Sequence, residues 1–169
     1  MSDFTNEEET LQAEHSDFPD NAGVLVAPPR IYAGFLALAF VLEMIWGMNV
    51  FIWGVQMALG ILTISFGAGL LTWCVELFHK SGTPLSPKRA TRELIVKGPF
   101  SLSRNPIYIA LTAIYLGICI LFDLFWGLLL VVPLVLIIRT FVIEKEEVYL
   151  EKVFGQNYLD YKNKVRRWF

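Results

Sequence analysis

Four apolar runs limit what this chain can fold into. Residues 31–46 carry no charge but Glu43, residues 50–78 none before Glu76, residues 106–122 none at all, and residues 124–143 none but Arg139. A helix rises 1.5 Å per residue, so about 20 such residues cross the hydrocarbon of a bilayer. The first and third runs are slightly short, so flanking residues or local thinning of the bilayer must help. Gly47-Met48-Asn49 and Asp123 read as turns, and Pro133 interrupts the fourth run. The simplest expectation is an all-α membrane protein with four transmembrane helices in two hairpins, spanning about 31–46, 50–78, 106–122 and 124–143. A composition 55% hydrophobic, with mean hydropathy +0.52, agrees with a chain built for lipid.

Charge orients the bundle. The loop at 79–105 holds Lys80, Lys88, Arg89, Arg92, Lys97 and Arg104, and the segment after 143 holds Lys145, Lys152, Lys162, Lys164, Arg166 and Arg167. The two short turns hold no Lys or Arg. With four spans the basic loop and both termini share one face, which the positive-inside rule makes cytoplasmic. An odd number of spans would split the basic regions across the membrane.

The ends of the chain differ from its middle. Residues 1–29 carry Asp3, Glu7, Glu8, Glu9, Glu14, Asp17 and Asp20 with no Lys or Arg, and read as a disordered acidic tail rather than a signal peptide. Residues 30–169 then form a single membrane domain. After the fourth run, Val148, Leu150, Val153, Phe154, Tyr158, Tyr161, Val165 and Trp168 recur at roughly helical spacing with charges between them. Residues 144–169 are therefore expected to be an amphipathic helical segment at the cytoplasmic face, divided at Gly155. Cys74 and Cys119 fall inside apolar runs and make no disulfide framework. His15 and His79 have no metal-site company, so no metal is expected. Gly67-Ala68-Gly69 lies inside an apolar run and suits close helix packing with Gly60 rather than nucleotide binding.

Two polar motifs remain, and a helical hairpin between them brings both to one face. The first is Lys97-Gly98-Pro99-Phe100-Ser101-Leu102-Ser103-Arg104-Asn105-Pro106-Ile107-Tyr108. The second is Glu146-Glu147-Val148-Tyr149-Leu150, followed by Phe154-Gly155, Tyr158, Tyr161, Val165 and Arg167-Trp168. With the preceding Ser-Gly-Thr-Pro at 81–84, this combination resembles the integral-membrane methyltransferase family of isoprenylcysteine carboxyl methyltransferases and phospholipid methyltransferases, over about residues 50–169. The resemblance implies S-adenosylmethionine as cofactor, held at the membrane surface. It implies a pocket drawing on Leu94, Ile95, Phe100, Arg104, Asn105, Pro106, Ile107 and Tyr108, with Glu146 and Glu147 from the second motif. Many relatives have His where this chain has Asn105, which removes any role for a titrating imidazole there. Relatives that esterify a prenylcysteine carry an Arg where this chain has Val142, so carboxylate methylation fits less well.

The residue types suit that chemistry. A proline in the first turn starts a helix whose free amides can hold a carboxylate. The acids can accept from hydroxyls or an ammonium, and the rings of Phe100 and Tyr108 offer stacking faces. Arg139 either snorkels to the interface or shares a face with Glu146 two turns on, where it would bind substrate. The expected acceptor is a membrane lipid or amphipathic small molecule, with a phospholipid amine preferred, and not a nucleic acid. The expected location is a bacterial inner membrane or an endoplasmic-reticulum-type membrane. Two other classes compete. A small four-helix transporter would use Glu43 as coupling acid, but leaves the paired motifs unexplained. A membrane reductase would bind a nicotinamide nucleotide.

Overall fold

The computed structural model describes residues 26–48, 50, 54–82 and 94–168, and every regular element among them is helical. The acidic tail expected at 1–29 lies outside the described residues up to residue 25. Helix α1 already begins at Pro28 and runs to Trp46, its early proline supplying the fixed φ that a helix start favours. Helix α2 covers Val55–Lys80, and Ser81 closes it with its amide on the Leu77 carbonyl. Thr83 and Pro84 of the loop-entry motif lie outside the described residues.

A 3-10 turn at Gly98–Ser101 leads into α3, Pro106–Leu121. Helix α4, Phe125–Ile138, does not end in a loop. A π turn at Arg139–Ile143 carries it straight into α5, Glu144–Phe154. Gly155, at φ 50° and ψ −125°, then breaks the rod and starts α6, Gln156–Lys164, so the division expected at Gly155 is present.

Among the described residues three stretches are long and apolar enough to span: Pro28–Trp46, Val55–Lys80 and Phe125–Phe154. The third expected span is a shorter apolar helix of 16 residues. Sixteen residues rise about 24 Å against roughly 30 Å of hydrocarbon. The count of four clear spans is thus corrected to three plus a short one. Its position supplies the reason. No residue from Pro106 to Leu121 is fully exposed, so α3 is partly covered by its neighbouring helices along its whole length.

Small residues let α2 and α3 approach. A Cβ on Gly117 would meet the Ile64 backbone nitrogen at 2.8 Å and the Gly60 carbonyl at 2.9 Å, and one on Gly67 would meet the Ala110 carbonyl at 2.7 Å. Gly69, expected to share this packing, faces open space instead. Between α1, α3 and α4 lie Ala39, Cys119 and Leu134, all fully buried.

The turns are tied together at the end of the bundle away from the motifs. Glu43 accepts from the Met48 amide at 2.8 Å and the Trp126 amide at 3.4 Å. Asp123 accepts from the Val50 amide at 3.2 Å, and the Trp126 indole donates to the Trp46 carbonyl at 2.8 Å. Glu43 is therefore engaged as a cap across two turns.

One expected face is rotated. Val148 is 56% exposed, while Glu147 and Tyr149 turn inward at 6% each. The bonds that pull Glu147 inward set the register of α5, and Val148 is left outside.

Candidate functional site

The first motif is shaped by local backbone chemistry. Gly98 takes φ +60°, which a side chain would resist, and starts the 3-10 turn. The turn buries Phe100, whose ring meets Phe78 edge-on at 5.8 Å and whose carbonyl accepts from the Tyr161 hydroxyl at 2.6 Å. Ser103 follows at 2% exposure; its hydroxyl accepts from the Asn105 amide and donates to the Arg167 carbonyl, both at 3.1 Å. Asn105 precedes α3 but does not cap it. Its side-chain amide also donates to the Arg167 carbonyl, at 3.1 Å. The Arg104 amide donates to the Arg166 carbonyl at 3.0 Å. Residues 166 and 167 thus form a strap across the start of α3.

The second motif closes the cluster from α5. Glu147 receives the Arg167 guanidinium in a two-pronged contact, Nε at 3.0 Å and Nη2 at 2.8 Å, and pairs with Arg104 Nη2 at 3.3 Å. Arg104 and Glu147 are both buried, their side chains 9% and 8% exposed. Arg167 also reaches Glu144 at 3.4 Å. The Glu147 carboxylate holds the Arg167 guanidinium above its ordinary value, chiefly through that hydrogen bond. Tyr158 lies beneath, edge-on to Tyr161 at 6.2 Å. Burial pushes its hydroxyl up to about 12, with the Glu147 charge adding and Arg104 opposing. Burial likewise raises Tyr161.

Glu146 points elsewhere. It accepts from the Tyr108 hydroxyl at 2.7 Å. That partner is neutral, and no ion pair balances Glu146 among the described residues. Arg104 is also incompletely matched. Its Nε and Nη1 are buried, and among the described residues they make no well-formed hydrogen bond, although the Tyr158 hydroxyl lies beside the guanidinium. Unpaired guanidinium donors are costly in a buried setting, and an anionic group of a ligand would satisfy them. The cluster therefore offers donors for an anion near a carboxylate able to take an ammonium or hydroxyls.

The expected residues divide into several groups. Arg104, Asn105 and Glu147 join one network through Arg167, Phe100 is bonded to Tyr161, and Tyr108 and Glu146 form a separate bonded pair, with Pro106 fully buried and Ile107 half-buried in the first turn of α3. Leu94 and Ile95 are half-buried in the coil ahead of the 3-10 turn. Arg139 stands apart, 51% exposed and paired with Glu144 at 3.3 Å. A π turn holds more residues than an α turn, so the two-turn register that aligned Arg139 with Glu146 does not hold. Val142 is 1% exposed within that turn. Sequence reasoning did not single out Ser103 or Arg167 as site residues. Arg167 was visible only as one letter of the closing motif, twenty positions from its partner Glu147.

A family model described as phospholipid methyltransferase matches residues 55–157, from the start of α2 into the first turn of α6. The chain belongs to the phospholipid methyltransferase family. Both clustered motifs are inside the matched region up to Asn157, while α1 and the strap at 166–167 are outside it. The activity named for the family is phospholipid methylation, and among the described residues three helices are long and apolar enough to cross a membrane. An uncharacterized protein of Haemophilus influenzae is 53% identical over 38 residues, which is 22% of this chain and 60% of that relative. The chain thus covers 60% of the length of the curated relative it matches. No solved structure matches the chain.

Proposed function

We propose that this protein is an S-adenosylmethionine-dependent methyltransferase whose acceptor is lipid-like, with the amine of a phospholipid headgroup as the preferred class. The observation that carries the reading is the buried Arg104 guanidinium, with Nε and Nη1 unmatched, four residues from a Tyr108 that meets an uncompensated Glu146. The residues fit the cofactor. Arg104 suits its carboxylate, Glu146 suits its ammonium or ribose hydroxyls, and Phe100 and Tyr108 bring rings to the same place. When bound, S-adenosylmethionine supplies a methyl group on a sulfonium. The chain's own task is to hold that group in line with the acceptor and exclude water.

The two acids take different roles in this reading. Glu147 is matched by two guanidiniums and braces the pocket, whereas Glu146 faces the ligand. Leu94 and Ile95 line the approach. Arg139 lies at the membrane edge, where its exposure suits a lipid phosphate. Buried Val142 provides no guanidinium for a carboxylate acceptor. A carboxylate would have to be desolvated without a partner, and an uncharged amine avoids that cost. The motif end bears Lys97, Lys145, Lys162 and Arg166 and is assigned to the cytoplasm on the positive-inside rule.

Radiolabelled methyl transfer tests the acceptor. The expected result is label in the amine-containing phospholipids of a total lipid extract and little in a farnesylcysteine analogue. Efficient esterification of the analogue with no lipid product overturns the amine assignment.

A further inference from the structure

The helix outside the family match reaches into the site. Tyr32, just past the first turn of α1, is 7% exposed. Its hydroxyl lies 2.8 Å from the Thr112 hydroxyl and 3.3 Å from the Tyr108 carbonyl. Thr112 donates its own proton to that carbonyl at 2.7 Å. A threonine hydroxyl has one hydrogen, so with that hydrogen committed, Tyr32 is the donor to Thr112. The one hydrogen of the Tyr32 hydroxyl is then spent on Thr112, so α1 and α3 converge on the Tyr108 carbonyl through a Tyr32–Thr112 relay.

This convergence matters because of where Tyr108 sits. It is the third residue of α3, in a first turn whose Tyr108 amide donates to the Asn105 carbonyl at 3.1 Å. Its carbonyl is tied toward α1, and its phenol crosses to Glu146 on α5 at 2.7 Å. The direction of that phenol depends on how the first turn of α3 is held.

We propose that Tyr32 is a positioning residue for the site: its hydroxyl, with Thr112, fixes the first turn of α3 and thereby aims Tyr108 at Glu146. The inference rests on the reading above that Tyr108 and Glu146 belong to the cofactor site. It adds a function for α1, which supplies part of the site's support as well as a membrane span. The ring of Tyr32 has separate packing, edge-on to Tyr115 at 6.4 Å, and Tyr115 donates to the Gly127 carbonyl on α4 at 3.0 Å. Removing only the Tyr32 hydroxyl therefore leaves the helix contact in place.

The test uses the full chain in detergent, with S-adenosylhomocysteine affinity measured by calorimetry. Tyr32→Phe, Thr112→Val and Tyr108→Phe are each expected to weaken binding about 3- to 10-fold, the range for one hydrogen bond. In the Tyr108→Phe background, Tyr32→Phe is expected to add nothing, because it acts through Tyr108. Additive losses overturn the proposal. A second readout needs no ligand: in 3-fluorotyrosine-labelled protein, the residue 108 resonance, identified by its loss in Tyr108→Phe, should move in Tyr32→Phe. An unmoved resonance overturns the proposal whatever the binding data. If the wild-type chain binds no S-adenosylhomocysteine while the resonance moves, the cofactor reading falls and the positioning role stands.

Discussion

Successive residues on a helix point about 100° apart, and at 146 and 147 that angle sends one acid to a phenol and the other to two guanidiniums. The difference can be measured. Glu147→Ala leaves the buried Arg104 without its counter-charge, and losing one partner of a buried pair costs about 3–5 kcal/mol. A lowered midpoint in thermal unfolding of detergent-solubilised protein is the expected result. Glu146→Gln keeps an acceptor for Tyr108 and should leave that midpoint nearly unchanged. It should weaken S-adenosylhomocysteine binding by about 1–3 kcal/mol in calorimetry, the worth of a charge-assisted bond. That the acid pair meets the Arg-Asn-Pro-Ile-Tyr motif was legible in the sequence. The division of labour between the acids was not, because it depends on Arg167, which returns to Glu147 only after the Gly155 break. Tyr32 was hidden for a related reason. One tyrosine in an apolar run looks like any other until its neighbour on a distant helix is known.

The elements show why the helix limits were only partly legible. Apolar runs marked the cores of α1, α2 and α4, but hydropathy does not reveal a π turn, so α4 and α5 read as two helices where the structure joins them. Close helix packing along α2 was legible from Gly60 and Gly67, and the structure identifies α3 as the partner and adds Gly117. At Gly117 an added methyl would press on backbone atoms, which cannot swing aside as a side chain can. Gly117→Ala should therefore destabilise the protein by about 1–3 kcal/mol. The same change at Gly69, which has nothing within 4 Å, should be nearly neutral. Paired thermal melts of the two variants check this, and equal losses would refute the packing account.

For the whole molecule, the two ends of the bundle differ in kind. One carries the motifs and the basic residues; the other joins Glu43, Asp123 and Trp126 in a set of turn caps. Cysteines introduced at Lys97 and Asp160 should react with an impermeant thiol reagent from the same side of sealed vesicles, and one at Val50 from the other. Labelling of 97 and 160 from opposite sides would refute the hairpin arrangement. The short α3 has a further consequence for the proposed reaction. Its 16 residues fall about 6 Å short of the hydrocarbon thickness, close to the depth at which acyl chains meet headgroups. On that reading depth becomes a filter. A lipid-like acceptor already anchored in the bilayer meets the first turn of α3 at its own level, whereas a free polar molecule must first give up water to descend to it.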